Sequence, residues 1–288
     1  MLEPIIWIIA IELTGIVGIP ISFKLFPNLP DKGYTINKAL TLILIGYLFW
    51  ALSTTGLVNP STYIAILCVG LLTIASTVLL INNFKAIKNY LRSEYRIIIL
   101  TEIIFLTLIC AWIAIISGSA SINHTEKPMD FAILNALVSA TQFPPEDPWF
   151  SGHSISYYYF GYLIMAIFTK LTAVPSEISY NLAVATIPAL AGISIFGVST
   201  NLSRLSGARL RTAITIGVLS ILTLTMISNL AGPVEFLYHR GWLNQSIIEW
   251  LNIKGLDGQI STSGGYFPEL SLIHISEPTR RPPISYAV

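Results

Sequence analysis

The chain has 288 residues, of which 53% are hydrophobic and only 11% charged, with a net charge of +1. A soluble domain carries about 25% charged residues, so this composition excludes a water-solvated globule and selects a bundle solvated by a lipid bilayer. No basic stripe interleaved with aromatics is present, which excludes nucleic acid as a partner, and the absence of CxxC, HExxH, GxGxxG and Walker patterns excludes the common soluble cofactor sites.

A membrane-crossing helix needs about 20 mostly apolar residues, and about seven segments qualify. They run over Pro4–Phe26, Ala39–Leu57, Tyr63–Ile81, Ile97–Ser117, Tyr157–Thr172, Ile178–Leu202 and Thr212–Leu230. The fold class expected is therefore an all-α polytopic membrane protein. Gly15, Gly18 and Pro20 predict a kink in the first segment. The N-terminus has no basic region ahead of its long apolar run, so it reads as a retained helix and not a cleaved signal. Cys68 and Cys110 lie inside apolar runs and read as packing or lipid-facing residues.

Lys and Arg mark the cytoplasmic loops of a membrane protein. Lys24, Lys32 and Lys38 surround the first connection, and Lys85, Lys88, Arg92 and Arg96 fill the third. This places the N-terminus and residues 118–156 on the external face of a cell membrane. The count then fails: the connection after the sixth segment should also be external, yet it holds Arg204, Arg209 and Arg211. Either one segment is re-entrant or split, or these arginines sit outside to bind an anionic phosphate. Within the spans, Glu12 has no evident partner, Glu102 sits near a helix end where it reaches water, and Lys170 is placed to snorkel.

A loop as long as 118–156 is usually functional or disordered, and this one is patterned. DFAILNALVSAT has an apolar stripe of Phe131, Leu134 and Leu137 or Val138 opposite a polar one of Asn135, Ser139 and Gln142, predicting a helix along the membrane interface. Pro128 and Asp130 suit its first turn. QFPPEDPWFSGHSISYYYFGY follows, with Glu146, Asp147 and His153 set among aromatics. An aromatic belt at the interface explains the tyrosines alone but not these polar residues. Asp130 reads either as a first-turn acid or as a general base at the membrane edge.

EKPMDFA, FPPEDPWFSG and SYYYFGY, with PNLPDKGYTINKAL and Trp50 earlier, resemble the YYY family of prokaryotic membrane proteins, named for its tri-tyrosine. The order of acid, interfacial helix, proline stretch and aromatic helix entry also resembles the GT-C membrane glycosyltransferases, which use polyprenyl-phosphate-linked sugars. The resemblance covers most of residues 1–270. It implies three leading helices over 1–96 and the start of a GT-C-like core over 97–270. It implies Asp130 as the catalytic acid-base residue, substrate contacts at Glu146, Asp147 and His153, a signature at Tyr157, Tyr158 and Tyr159, and lipid phosphate near Arg204 and Arg209. The counter-charge for the departing phosphate stays open, a divalent metal being one option, and no ligand cluster identifies it. Residues 271–288 (SLIHISEPTRRPPISYAV) continue no pattern and read as a non-native tail on an N-terminal fragment. Two other functions compete: a lipid-linked sugar transporter, for which internal repeats would be the signal, and a membrane scaffold with the loop as its docking surface.

Overall fold

The computed structural model describes residues 2–227, except Ser119, His124, Thr125 and Ser151, and isolated positions between 234 and 250. Among these residues the protein is helical, with a lone bridge between Glu146 and Ser154 outside the helices. The helices are α1 (Glu3–Leu25), α2 (Asn37–Thr54), α3 (Thr62–Ser93), α4 (Tyr95–Ser117), α5 (Lys127–Ser139), α6 (Phe160–Thr172), α7 (Ser176–Leu205) and α8 (Leu210–Leu222). Residues 1–218 form one compact unit. The end of α8 and a π-helical turn, Thr223–Ile227, belong to a second unit that begins at Leu219. The tail from 271 lies outside the described residues.

Five helices are long and apolar enough to cross a membrane: α1, α2 with the 3-10 turn before it, α3, α4 and α7. α6 and α8 are shorter. α6 has 13 residues, about 20 Å of helix at 1.5 Å per residue, against a hydrocarbon core of about 30 Å. Its start is later than the sequence suggests because Tyr157–Tyr159 precede the helix instead of entering it. α3 is longer than expected. It continues past the apolar run through the basic residues to Ser93, with non-helical backbone at Asn83.

The failed charge count is resolved by where α6 goes. Its first residues meet the end of α2, where Trp50 Nε1 donates to the Tyr159 hydroxyl at 3.1 Å. Its last turn is beside the α2–α3 connection, where Lys170 Nζ donates to the Pro60 carbonyl at 3.5 Å. Both ends of α6 therefore sit on the side of the bundle that carries the long loop. α7 starts there too, with Asn181 Nδ2 donating to the Ala120 carbonyl, and its far end meets the opposite pole. There Asn201 meets Asp31 in the α1–α2 connection, and Arg204 meets Glu94 between α3 and α4. Of the two readings of the arginines, the geometry matches the re-entrant segment.

Two apolar clusters hold the bundle. Phe49, Ala65, Cys68, Leu134, Leu137, Leu163 and Ile167 join α2, α3, α5 and α6. Trp7, Ile11, Phe105, Ile109, Phe168, Leu190 and Ile193 join α1, α4, α6 and α7. Cys68 packs in the first cluster, whereas Cys110 is exposed. The amphipathic helix forms as expected, but its apolar face is turned onto protein. Ile133, Leu134 and Leu137 are buried, and α5 packs on α6 and α7.

Candidate functional site

Asp130 sits in the first turn of α5, on the same face as Leu134 and Leu137, and so is carried into the packed side of the helix. It is 6% exposed. The Tyr162 hydroxyl, from α6, donates to its Oδ1 at 2.5 Å, and the Tyr180 hydroxyl approaches from α7. Burial raises the Asp130 carboxyl above the usual carboxylate range, while the bonds from Tyr162 and Tyr180 oppose the rise. Asp130 in turn raises Tyr162, second to burial. Phe131 packs edge-on against Tyr180 and fixes the helix beside α7.

Tyr157 lies close enough to this carboxylate to feel its charge, and the three side chains of the tri-tyrosine take two roles. Tyr157 and Tyr158 stack at 3.9 Å, and the Tyr157 hydroxyl donates to Tyr158 at 2.6 Å. That bond, with burial and the neighbouring charges of Glu126 and Asp130, pushes the Tyr157 hydroxyl up to about 12. Tyr159 is structural: it accepts from Trp50 and meets Phe143 edge-on. Tyr47, Trp50, Tyr157, Tyr158, Tyr159 and Phe160 line an open aromatic cleft of about 370 Å³.

Glu146 and Asp147 lie elsewhere. They line a second cleft, of about 540 Å³, with Asn135, Ser139 and Gln142. Asn135 and Ser139, about one and a half and two and a half turns on from Asp130, project from the opposite face of α5. Asp147 also orders its own loop, its Oδ1 accepting from the backbone N–H of Trp149 and Phe150. His153 is exposed and stacks on Phe150 at 4.4 Å.

Arg204 and Arg209 are far from both clefts. Tyr180, beside Asp130, and Arg204 share α7, so about 36 Å of helix separates them. Arg204 is held by Glu94 through two bonds of 2.8 Å, and Arg209 is exposed beyond the same helix end. The structure thus joins Asp130 with Tyr162 and Tyr180, sets Tyr157 near them, pairs Glu146 with Asp147 in a separate cleft, and brings neither arginine to them. Among the described residues, no three His, Cys, Asp or Glu side chains converge as metal ligands would.

A family model described as uncharacterized membrane protein (DUF2298) matches residues 44–267. The chain belongs to that family. No curated protein and no solved structure matches it. The DUF2298 match begins within α2 and takes in Trp50, all of α3 to α8 and both clefts, so the Asp130 cluster belongs wholly to the family region. Nothing in the sequence singles out Tyr162 or Tyr180 as partners of Asp130. Tyr162 was one aromatic among many at the helix entry, and Tyr180 is 50 positions from the carboxylate that it faces.

Proposed function

We propose that this protein is a membrane glycosyltransferase of the GT-C kind, transferring a sugar from a polyprenyl-phosphate donor at the external face. The observation that carries the reading is the buried Asp130 carboxylate ringed by tyrosine hydroxyls at the loop-bearing pole. A general base works best when its proton affinity is raised toward the working pH. Asp130 is raised by burial and held in place by Tyr162. In this reading Asp130 takes the proton of the acceptor hydroxyl, and Tyr157 and Tyr158 donate hydrogen bonds to the sugar or its phosphate. The cleft of Asn135, Ser139, Glu146 and Asp147 holds a hydroxyl-rich acceptor through its polar rim. Arg204 and Arg209 are at the far pole, so in this reading another cation, such as a divalent metal, meets the departing phosphate. What supports the donor class is the order of acid, amphipathic helix, proline stretch and aromatic helix entry, which resembles that of the GT-C enzymes.

The test is Asp130→Asn introduced at the native gene, with transfer from a labelled polyprenyl-phosphate sugar measured in isolated membranes. Loss of about 10²–10⁴-fold is expected for removal of a general base. Because the base works ionised, wild-type transfer should also fall as pH drops through a value above the ordinary carboxylate range. Transfer near the wild-type rate in Asp130→Asn would refute the role.

A scaffold reading is favoured by one observation: Trp149, Phe150 and Tyr158 are 69%, 63% and 73% exposed on the ordered loop. In that case Trp149→Ala with Phe150→Ala would release a co-purifying subunit, and Asp130→Asn would not.

A further inference from the structure

Glu12, which has no partner within reach in the sequence, meets two charges in the structure. Lys38, in the first turn of α2, has a side chain only 3% exposed. Its Nζ lies 3.1 Å from Glu12 Oε2 on α1, and 2.7 and 2.6 Å from the two carboxylate oxygens of Glu102 on α4. Glu102 therefore does not serve as a solvated helix-end charge. The Tyr34 hydroxyl also donates to it, at 2.7 Å. Room for the lysine comes from Gly15, where an added Cβ would stand 2.9 Å from Lys38 Cγ. Lys38 Nζ also lies 5.0 Å over the Phe105 ring.

The charges do not balance. Two carboxylates face one ammonium, leaving a net negative charge among apolar helices, where an uncompensated charge is costly. The hydrogen bonds do not close either. Glu12 Oε1 is buried and has no donor, although the Glu12 and Glu102 side chains are within hydrogen-bond reach of each other. Tyr34 already donates to Glu102, and Lys38 is the cation of the cluster. Apart from Lys38, Glu102 and Tyr34, no described charged or titratable side chain from α3, α6 or α7 reaches Glu12. The Tyr90 hydroxyl, next to Tyr34, is spent on the Asp31 carbonyl.

We propose that the Glu12–Lys38–Glu102 cluster is a proton-binding site. It takes up one proton, carried on Glu12 and donated to Glu102. This single addition neutralises the cluster, supplies a hydrogen to the orphaned Oε1 side of Glu12, and leaves the Lys38–Glu102 pair intact. The proton comes from water, and the Glu12 side chain, 30% exposed, is the route by which it exchanges. The site belongs to the trans-bundle packing of α1, α2 and α4 and is independent of the Asp130 cluster.

Infrared difference spectroscopy of the full chain in lipid nanodiscs at neutral pH tests this. The wild type should show the carbonyl stretch of a protonated carboxyl, shifting in heavy water, with an intensity of one group per chain. Glu12→Gln should abolish it. Glu102→Gln should abolish it as well, because Glu12 then pairs one-to-one with Lys38 and ionises. Asp130→Asn should leave it in place. The glutamine of Glu12→Gln donates an N–H where the protonated acid donates O–H, so that variant should fold; if it does not, Glu102→Gln decides alone. No such band in the wild type, a band that survives either glutamine substitution, or one lost in Asp130→Asn would overturn the proposal.

Discussion

Asp31→Ala is expected to destabilise the bundle by at least about 3 kcal/mol, since each hydrogen bond to a buried charged group contributes about 1.5–3 kcal/mol. Asp31 is 2% exposed. Its carboxylate accepts from the backbone N–H of Gly33 and of Thr35, from Thr35 Oγ1 and from Asn201 Nδ2, at 2.9, 3.1, 2.6 and 2.8 Å. It therefore ties the α1–α2 connection to the far end of α7. Its backbone also takes part, with the N–H donating to Asn201 Oδ1 at 3.1 Å and the carbonyl accepting from Tyr90 at 2.6 Å. Alanine removes only the side-chain bonds and strands their donors. Asp31→Asn keeps the shape and should cost less, and Asn201→Ala should be strongly non-additive with Asp31→Ala, because both delete one network. Thermal unfolding in detergent measures all of these. A wild-type transition in Asp31→Ala would mean that this connection is not ordered as described.

Glu94→Ala should cost about 2 kcal/mol, through the loss of a two-pronged bond and the stranding of a largely buried guanidinium. The side chains of Arg204 and Glu94 are 22% and 18% exposed, so neither is a freely solvated surface charge. Exchange of the pair, as Glu94→Arg with Arg204→Glu, should recover part of the loss, whereas either half of the exchange alone should be worse than Glu94→Ala. Equal stability of Glu94→Ala and the wild type would show that α7 does not end against the α3–α4 connection.

Local patterns carried much of the architecture. The apolar runs located α1, α2, α4 and α7 to within a few residues, and the start of α3 but not its continuation to Ser93, and Pro128, Asp130 and the two stripes located α5. What failed depended on partners distant in sequence. Tyr157–Tyr159 look like the start of a spanning helix because they are aromatic and adjoin an apolar run. Their side chains instead stack on each other and bond Trp50, so the helix begins later and is too short to cross. With α6 returning to the loop-bearing side, the later connections fall at the opposite poles from those that the charge count expects, and Arg204 meets Glu94 away from the clefts. Glu12 seemed unpaired because Lys38 reaches it from the next helix. Asp31 had a readable signal: an aspartate before Lys-Gly-Tyr-Thr accepting from its own following backbone is a common turn device. Its bond to Asn201 had none. Glu146 and Asp147 lie in the loop beyond α5 and share a cleft with Asn135 and Ser139, on the face of α5 turned away from Asp130, so nearness in sequence did not bring the polar residues of the loop to one site.

The most direct measurement for the account as a whole is the sidedness of two residues. In a background lacking Cys68 and Cys110, single cysteines at Trp149, exposed on the loop, and at Arg209, exposed beyond α7, are labelled by an impermeant thiol reagent on sealed vesicles of known orientation. With α6 returning to the side from which it entered, the two cysteines should react from opposite faces of the membrane. Reaction of both from the same face would mean that α6 crosses, and would contradict the arrangement that places Asp130 and Arg204 at opposite poles.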